Sequence, residues 1–196
     1  MKIYDQIIQL SPEWWEIKKK KLSAGHAQAI GSYGKGLVTY VHEIMAEYYS
    51  NAERKSFSNY HTERGIELED SAGMVYSFEN NIAIKKVGFV EYNDYVGCSP
   101  DLFADDDGLA EIKCPDDKGF FGLLLGEDPD SKYIWQCQCQ LLICEKAWCD
   151  LVYYNPNYSK SLIVKRILPD QEKFRMLLAG FSMGEKLIKE IEAKMG

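Results

Sequence analysis

The sequence predicts an α/β (α+β) architecture in which a central mixed sheet is flanked by helices. Three observations point there. Capped helical segments with apolar stripes lie near both termini; the stretch from Asn81 to Lys113 has the periodicity of strands; and from Lys132 onward the order is helix, strand, strand, helix. At 196 residues, 46% of them hydrophobic, the chain is expected to form one domain over 1–196 around a single core.

The first helix is expected at Ser11-Pro12-Glu13, which supplies an N-cap, a proline at the first helical position and an acid in the first turn. It should carry Trp14, Trp15 and the lysines Lys18 to Lys21. Gly25, Gly31, Gly34 and Gly36 break the next stretch into a loop, and helical phase resumes over Leu37 to Tyr49, where Leu37, Val41, Ile44 and Tyr48 share a stripe. The polar segment Ser50 to Tyr60 reads as a connection. Thr62 is placed to cap a third helix, on which Ile66, Glu69, Gly73 and Tyr76 line one face. Glu69 thereby turns inward, where an unpaired charge is very costly; it needs a base or a metal ion, unless the helix lies at the surface with Glu69 on the border of its stripe.

Strands follow over Ile82 to Val90, Tyr95 to Phe103 and Leu109 to Lys113, an antiparallel meander whose last two members join through Asp105-Asp106-Asp107-Gly108. That acidic turn lacks the Asp-x-Asp-x-Asp-Gly spacing of a calcium loop. A helix around Lys132 to Glu145, strands over Leu151 to Tyr154 and Ser161 to Leu168, and a long helix from Asp170 complete the chain.

A formal net charge of -7 excludes a protein that coats nucleic acid through bulk electrostatics. Any DNA contact must be local, with Lys18 to Lys21, Lys85-Lys86 and Lys165-Arg166 as candidates. The six cysteines, Cys98, Cys114, Cys137, Cys139, Cys144 and Cys149, read as reduced and mostly buried thiols, since Cys137 and Cys139 diverge on a helix and no paired Cys-x-x-Cys knuckle occurs. No uncharged apolar run approaches a membrane span and the Met-Lys-Ile-Tyr-Asp start lacks an apolar leader, so the expected location is cytoplasmic.

On the strand Leu109 to Lys113 alternate side chains share a face, so Glu111 and Lys113 leave one side while Ala110 and Ile112 leave the other. A hairpin through Asp107-Gly108 brings Asp101 level with Glu111. Two carboxylates then stand beside an ammonium. Magnesium prefers oxygen ligands and keeps several waters, so Asp101, Glu111 and substrate phosphate oxygens suit it. In phosphodiester hydrolysis such an ion lowers the pKa of a bound water and stabilises developing charge, while Lys113 is placed to orient or deprotonate that water.

Cys98-Ser99-Pro100-Asp101 followed by Glu111-Ile112-Lys113-Cys114-Pro115 resembles the active-site signature of the lambda-exonuclease and YqaJ-type viral recombinase (alkaline exonuclease) family, within the PD-(D/E)XK nuclease superfamily. Arg64-Gly65-Ile66-Glu67-Leu68-Glu69 is similar to the family's helix motif, where a glycine stands four residues before a metal-supporting glutamate, here Glu69. Tyr133-Ile134-Trp135-Gln136-Cys137-Gln138 resembles its helix whose first glutamine, here Gln136, lies by the metal; Gln140 falls on the same face. Trp14-x-x-x-Lys18-x-Lys20-x-Leu22-Ser23-Ala24-Gly25 is similar to its N-terminal motif, in which an arginine and a final serine help bind the terminal phosphate of the substrate. Lys18 and Gly25 replace those two residues. The likeness runs from about Trp14 to Gln140.

The resemblance implies a restriction-endonuclease-like core and a magnesium-dependent 5'-to-3' exonuclease, with manganese as the alternative ion. Such an enzyme digests one strand of duplex DNA from its end and leaves a 3' single strand for recombination by strand annealing. It implies Asp101, Glu111 and the main chain of Ile112 as metal ligands, Lys113 as a catalytic group, and Glu69 and Gln136 in support. Ser99, Lys18 and His26 are the candidates for binding a 5'-phosphate. A phage setting, a homotrimeric ring with lysines lining its channel, and a single-strand annealing protein as partner are further expectations. Two other readings stand beside it: a structure-specific or restriction-type endonuclease sharing the catalytic trio, and a non-catalytic protein that holds DNA ends.

Overall fold

The computed structural model describes residues 1–52 and 60–196. Among these residues two sheets form the frame. One takes the order β1 (Lys2–Tyr4), β4 (Phe89–Asn93), β5 (Val96–Cys98) and β2 (Leu22–Ser23). The other is a mixed sheet of β3 (Ile84–Lys86), β6 (Leu102–Ala104), β7 (Gly108–Lys113), β8 (Trp148–Tyr154) and β9 (Leu162–Ile167), with β7 and β8 parallel and every other pairing antiparallel. The helices are α1 (Pro12–Lys18), α2 (Ala27–Ser32), α3 (Lys35–Tyr49), α4 (Tyr60–Asn80), α5 (Asp117–Leu124), α6 (Ser131–Cys144) and α7 (Gln171–Met195). The mixed α/β class expected from the sequence is the class observed.

Local signals act as read. Ser11 caps α1 by accepting from the Trp14 N–H at 3.3 Å, with Pro12 following it. Asp170 caps α7 by accepting from the Glu172 and Lys173 N–H groups, and Gln138 Oε1 in turn accepts from the Asp170 N–H.

The meander is where expectation and structure part. The strand expected over Ile82 to Val90 breaks at Val87-Gly88 into β3 and β4, and that over Tyr95 to Phe103 breaks at Ser99-Pro100-Asp101 into β5 and β6. Each half joins a different sheet. One close approach and one proline explain the breaks. A Cβ on Gly88 would lie 2.1 Å from the Ile7 carbonyl oxygen, so the N-terminal segment passes directly over that point. Pro100 has no N–H to offer a ladder.

The lysine run also differs from expectation. α1 ends at Lys18, and Lys20 adopts a left-handed φ of 60°, which turns the chain. Lys20 then pairs with Glu192 on α7 at 2.6 Å, and Lys21 donates to the Asp94 carbonyl at 2.8 Å. Lys85 and Lys86 are likewise engaged, with Asp5 and Asp70. The glycine-rich stretch holds α2 rather than a loop alone, and α5 and the short strands β1 and β2 carry too few residues for periodicity to reveal them. Thr62 lies within α4 instead of capping it, the side chain of Ile66 falls outside the described residues, and so does most of the polar connection, 53–59.

β7 divides the core. Leu109 faces a cluster with Leu37, Val41, Leu141, Leu151 and Leu177, among α3, α6 and α7. Ala110 and Ile112 face the opposite cluster beneath α4, with Ala72, Tyr76, Leu102 and Val152. α4 approaches closely at Gly73, where a Cβ would stand 3.2 Å from Leu102. The six cysteines are free thiols, all buried except the half-buried Cys114.

Candidate active site

Strand alternation sends Glu111 and Lys113 from one face of β7, toward α6. Glu111 is 1% exposed yet well supplied with donors. Its Oε1 accepts from Gln136 Nε2 at 2.6 Å and from Lys113 Nζ; its Oε2 accepts from Gln140 Nε2 at 2.6 Å. Both glutamines come from α6, one turn apart.

Asp101 reaches the same strand from the β5–β6 break. Its Oδ2 accepts from the Ile112 N–H at 2.6 Å, so the loop that interrupts the meander is tied to the centre of β7. Arg64, on α4, donates to the carbonyls of Cys114 and Pro115 at 2.8 Å each and holds the exit of that strand.

The electrostatics are those of crowded acids. Burial pushes the Asp101 pKa well above the ordinary carboxylate value, and the charges of Glu111 and Glu69 push the same way against Lys113. Glu69 is raised by burial as well, with Lys86 opposing and Glu111 adding. Burial alone would lower the Lys113 ammonium, but Glu111 and Asp101 outweigh it and hold it above the usual lysine value. Lys113 and Lys86 are the ammonium groups that offset this crowding of acids.

The residues fit a hard divalent ion. They offer carboxylate oxygens and a main-chain carbonyl, and magnesium needs only one or two carboxylates besides water and phosphate. Among the described residues no three His, Cys, Asp or Glu side chains gather into an all-protein cage.

Two of the candidates for phosphate binding, Ser99 and Lys18, meet at Trp14. Its Nε1 donates to Ser99 Oγ at 2.8 Å, and Lys18 Nζ stands 4.3 Å from the centre of its ring system. His26 stacks on Tyr40 at 3.9 Å and 10°. Loss of water lowers its pKa, Glu43 opposes this and Lys18 adds to it, which puts the imidazole within reach of the Lys18 charge. Tyr40 extends the polar cluster, its hydroxyl accepting from the Ser23 N–H at 3.1 Å.

The structure therefore brings Asp101, Glu111, Ile112, Lys113 and Gln136 together, with Glu69 within electrostatic reach of Asp101 and Glu111, and gathers Ser99 and Lys18 separately around Trp14, two residues along from Asp101 in the case of Ser99. Gln140 and Arg64 had no assigned role from sequence. The i, i+4 spacing from Gln136 is a signal that picks out Gln140; Arg64 opens the helix motif, but no local pattern reveals its partners at Cys114 and Pro115.

The profile of the YqaJ-like viral recombinase domain matches residues 13–147, more than half of the chain. The chain belongs to this family. The alkaline exonuclease LHK-Exo from Laribacter hongkongensis is similar in structure, with 25% identity and a TM-score of 0.81 over 94% of this chain and 98% of that one. LHK-Exo in complex with dAMP gives 25% identity and a TM-score of 0.83 over 95% of this chain and 100% of the other. A phage-related exonuclease from Haemophilus somnus 129PT shares the fold at 15% identity, with a TM-score of 0.64 over 90% and 96% of the two chains. No curated protein sequence matches the chain. Family membership and these structural relatives make the chain a nuclease.

Proposed function

We propose that this chain, as one catalytic domain over 1–196, is a magnesium-dependent exonuclease that degrades one strand of duplex DNA from a 5' end. The observation that carries the reading is the meeting of two carboxylates at β7: Asp101, held by the Ile112 N–H, and Glu111, held by Lys113, Gln136 and Gln140. The likeness to LHK-Exo supports it, since that protein binds dAMP, a mononucleotide of the kind an exonuclease releases.

Asp101, Glu111 and the Ile112 carbonyl would hold the ion, with Glu69 in support. When bound, a divalent ion supplies a water of lowered pKa and stabilises charge on the phosphate. The protein does the rest. The Ile112 N–H fixes Asp101, while Gln136 and Gln140 fix Glu111. Lys113, held as a cation between carboxylates, serves as a donor and a positive charge toward the scissile phosphate. Ser99 and Lys18 supply a hydroxyl and a cation for the terminal phosphate, with His26 beside them. Lysine grips such a group as a point charge rather than as a planar fork, so recognition is less directional than arginine would give.

Linear, nicked and covalently closed circular duplexes, each with magnesium, with manganese and with a chelator, test the reading. Mononucleotides should appear from linear duplex alone and only with metal, and end-labelling should show loss from the 5' end. Cutting of closed circles would favour an endonuclease; binding of ends with no release at any metal concentration would favour an end-holding protein. A homotrimer in sedimentation and co-purification with a single-strand annealing protein are the outcomes expected if the product strand is delivered for recombination in a phage setting.

A further inference from the structure

We propose that Gln140 is a positioning residue for Glu111, setting the plane of its carboxylate for the metal ion. The proposal rests on the nuclease reading given above.

Glu111 and Gln140 are 1% and 0% exposed, so Gln140 cannot touch DNA; whatever it does passes through Glu111. Gln140 Nε2 donates to Oε2 at 2.6 Å from the interior, whereas Lys113 and the half-buried Gln136 approach Oε1 from the open side. The terminal torsion of a glutamate is broad, so one hydrogen-bonded oxygen leaves the carboxylate plane free to swing. Two donors on opposite oxygens, delivered from successive turns of one helix, remove that freedom.

A second observation separates this from ordinary core packing. An ionised carboxylate only accepts, so the Gln140 amide must turn its NH2 group to Glu111. Its own Oε1 is then buried without a hydrogen-bond partner. Leucine or methionine would fill the same space and leave no orphan acceptor. The amide is accounted for by the donor it gives to Glu111.

Gln140→Met and Gln136→Met, singly and together, are compared by titrating the metal-free full-length protein with manganese and reading bound ion by electron paramagnetic resonance. Wild type should bind, Gln140→Met should keep its melting temperature, and its affinity for manganese should fall about tenfold or more, as expected for loss of a group that orients a metal ligand. Because both glutamines hold the same carboxylate, the double variant should depart from the product of the single effects. A folded Gln140→Met protein that binds manganese as wild type does overturns the proposal and leaves the nuclease reading intact. Wild type that binds no manganese overturns both. Should Gln140→Met fail to fold, the side-chain amide resonance of Gln140 in wild type decides: it should shift on magnesium addition, and an unmoved signal at saturating ion overturns the proposal.

Discussion

The Trp14 indole Nε1 donates to the Ser99 hydroxyl oxygen across 2.8 Å, and to the Gly88 carbonyl at 3.1 Å. One buried ring thus ties α1 to both points where the expected meander breaks. Ser99 stands two residues before Asp101, so the same ring ties α1 to the loop that carries Asp101. With its oxygen accepting from Trp14, Ser99 keeps its own hydroxyl hydrogen for another acceptor.

Trp14→Phe should leave the ring volume largely filled but strand Gly88 and Ser99. An unsatisfied buried acceptor costs about 1–3 kcal/mol, visible as a lower melting temperature. The preference of wild type for 5'-phosphorylated over 5'-hydroxyl ends should shrink in Trp14→Phe, Ser99→Ala and Lys18→Ala. Equal digestion of both ends by wild type would remove the phosphate site from the mechanism.

Asp101→Ala, Glu111→Ala and Lys113→Ala should each abolish cleavage with the fold retained. Only the two carboxylate variants should lose metal affinity. In chelator, Asp101→Asn should melt at or above the wild-type temperature, because one of three crowded acids is gone. Near-normal turnover by any of these variants with magnesium would show the site to be misassigned.

Glu69→Gln and Gln136→Ala should remain active but require more magnesium, with affinity or rate reduced about 10- to 100-fold. The check is a magnesium titration of initial rates. Unchanged curves for both would place these residues in the ordinary core.

Away from the site, Asp150 accepts from the Tyr76 hydroxyl at 2.7 Å and from Arg166 through both oxygens at 2.8 Å. Asp150→Ala strands the buried hydroxyl and should cost about 1–3 kcal/mol in denaturant unfolding. Burial, then the hydrogen bond and charge of Asp150, hold the Tyr76 phenol far above its ordinary value of 10.0. A raised folded pKa contributes stability that is complete below the unfolded value and is lost as pH rises beyond it. Wild type should therefore weaken above pH 10 more steeply than Tyr76→Phe, and parallel melting profiles would contradict this.

Much of the protein is written locally. The Ser11-Pro12 and Asp170 caps act within a few residues of themselves, and the two-residue period of a strand places Glu111 and Lys113 on one face of β7 whatever surrounds it. These facts, with the motif that joins Cys98–Asp101 to Glu111–Pro115, determine the class and the family and single out the candidate site. Tertiary structure decided what no period encodes. Gly88 ends a strand because Ile7, far off in sequence, crosses it; Lys20 and Lys21 turn to α7 and to the Asp94 loop instead of to solvent; and Arg64 finds the carbonyls of Cys114 and Pro115 across the α4–β7 interface. Gln140 lies between the two cases, since helical spacing sets its face but only the packing of α6 against β7 sets its partner. Side-chain direction follows from backbone geometry over a few residues, whereas the partner of a charge or the end of a strand follows from which distant segment arrives there.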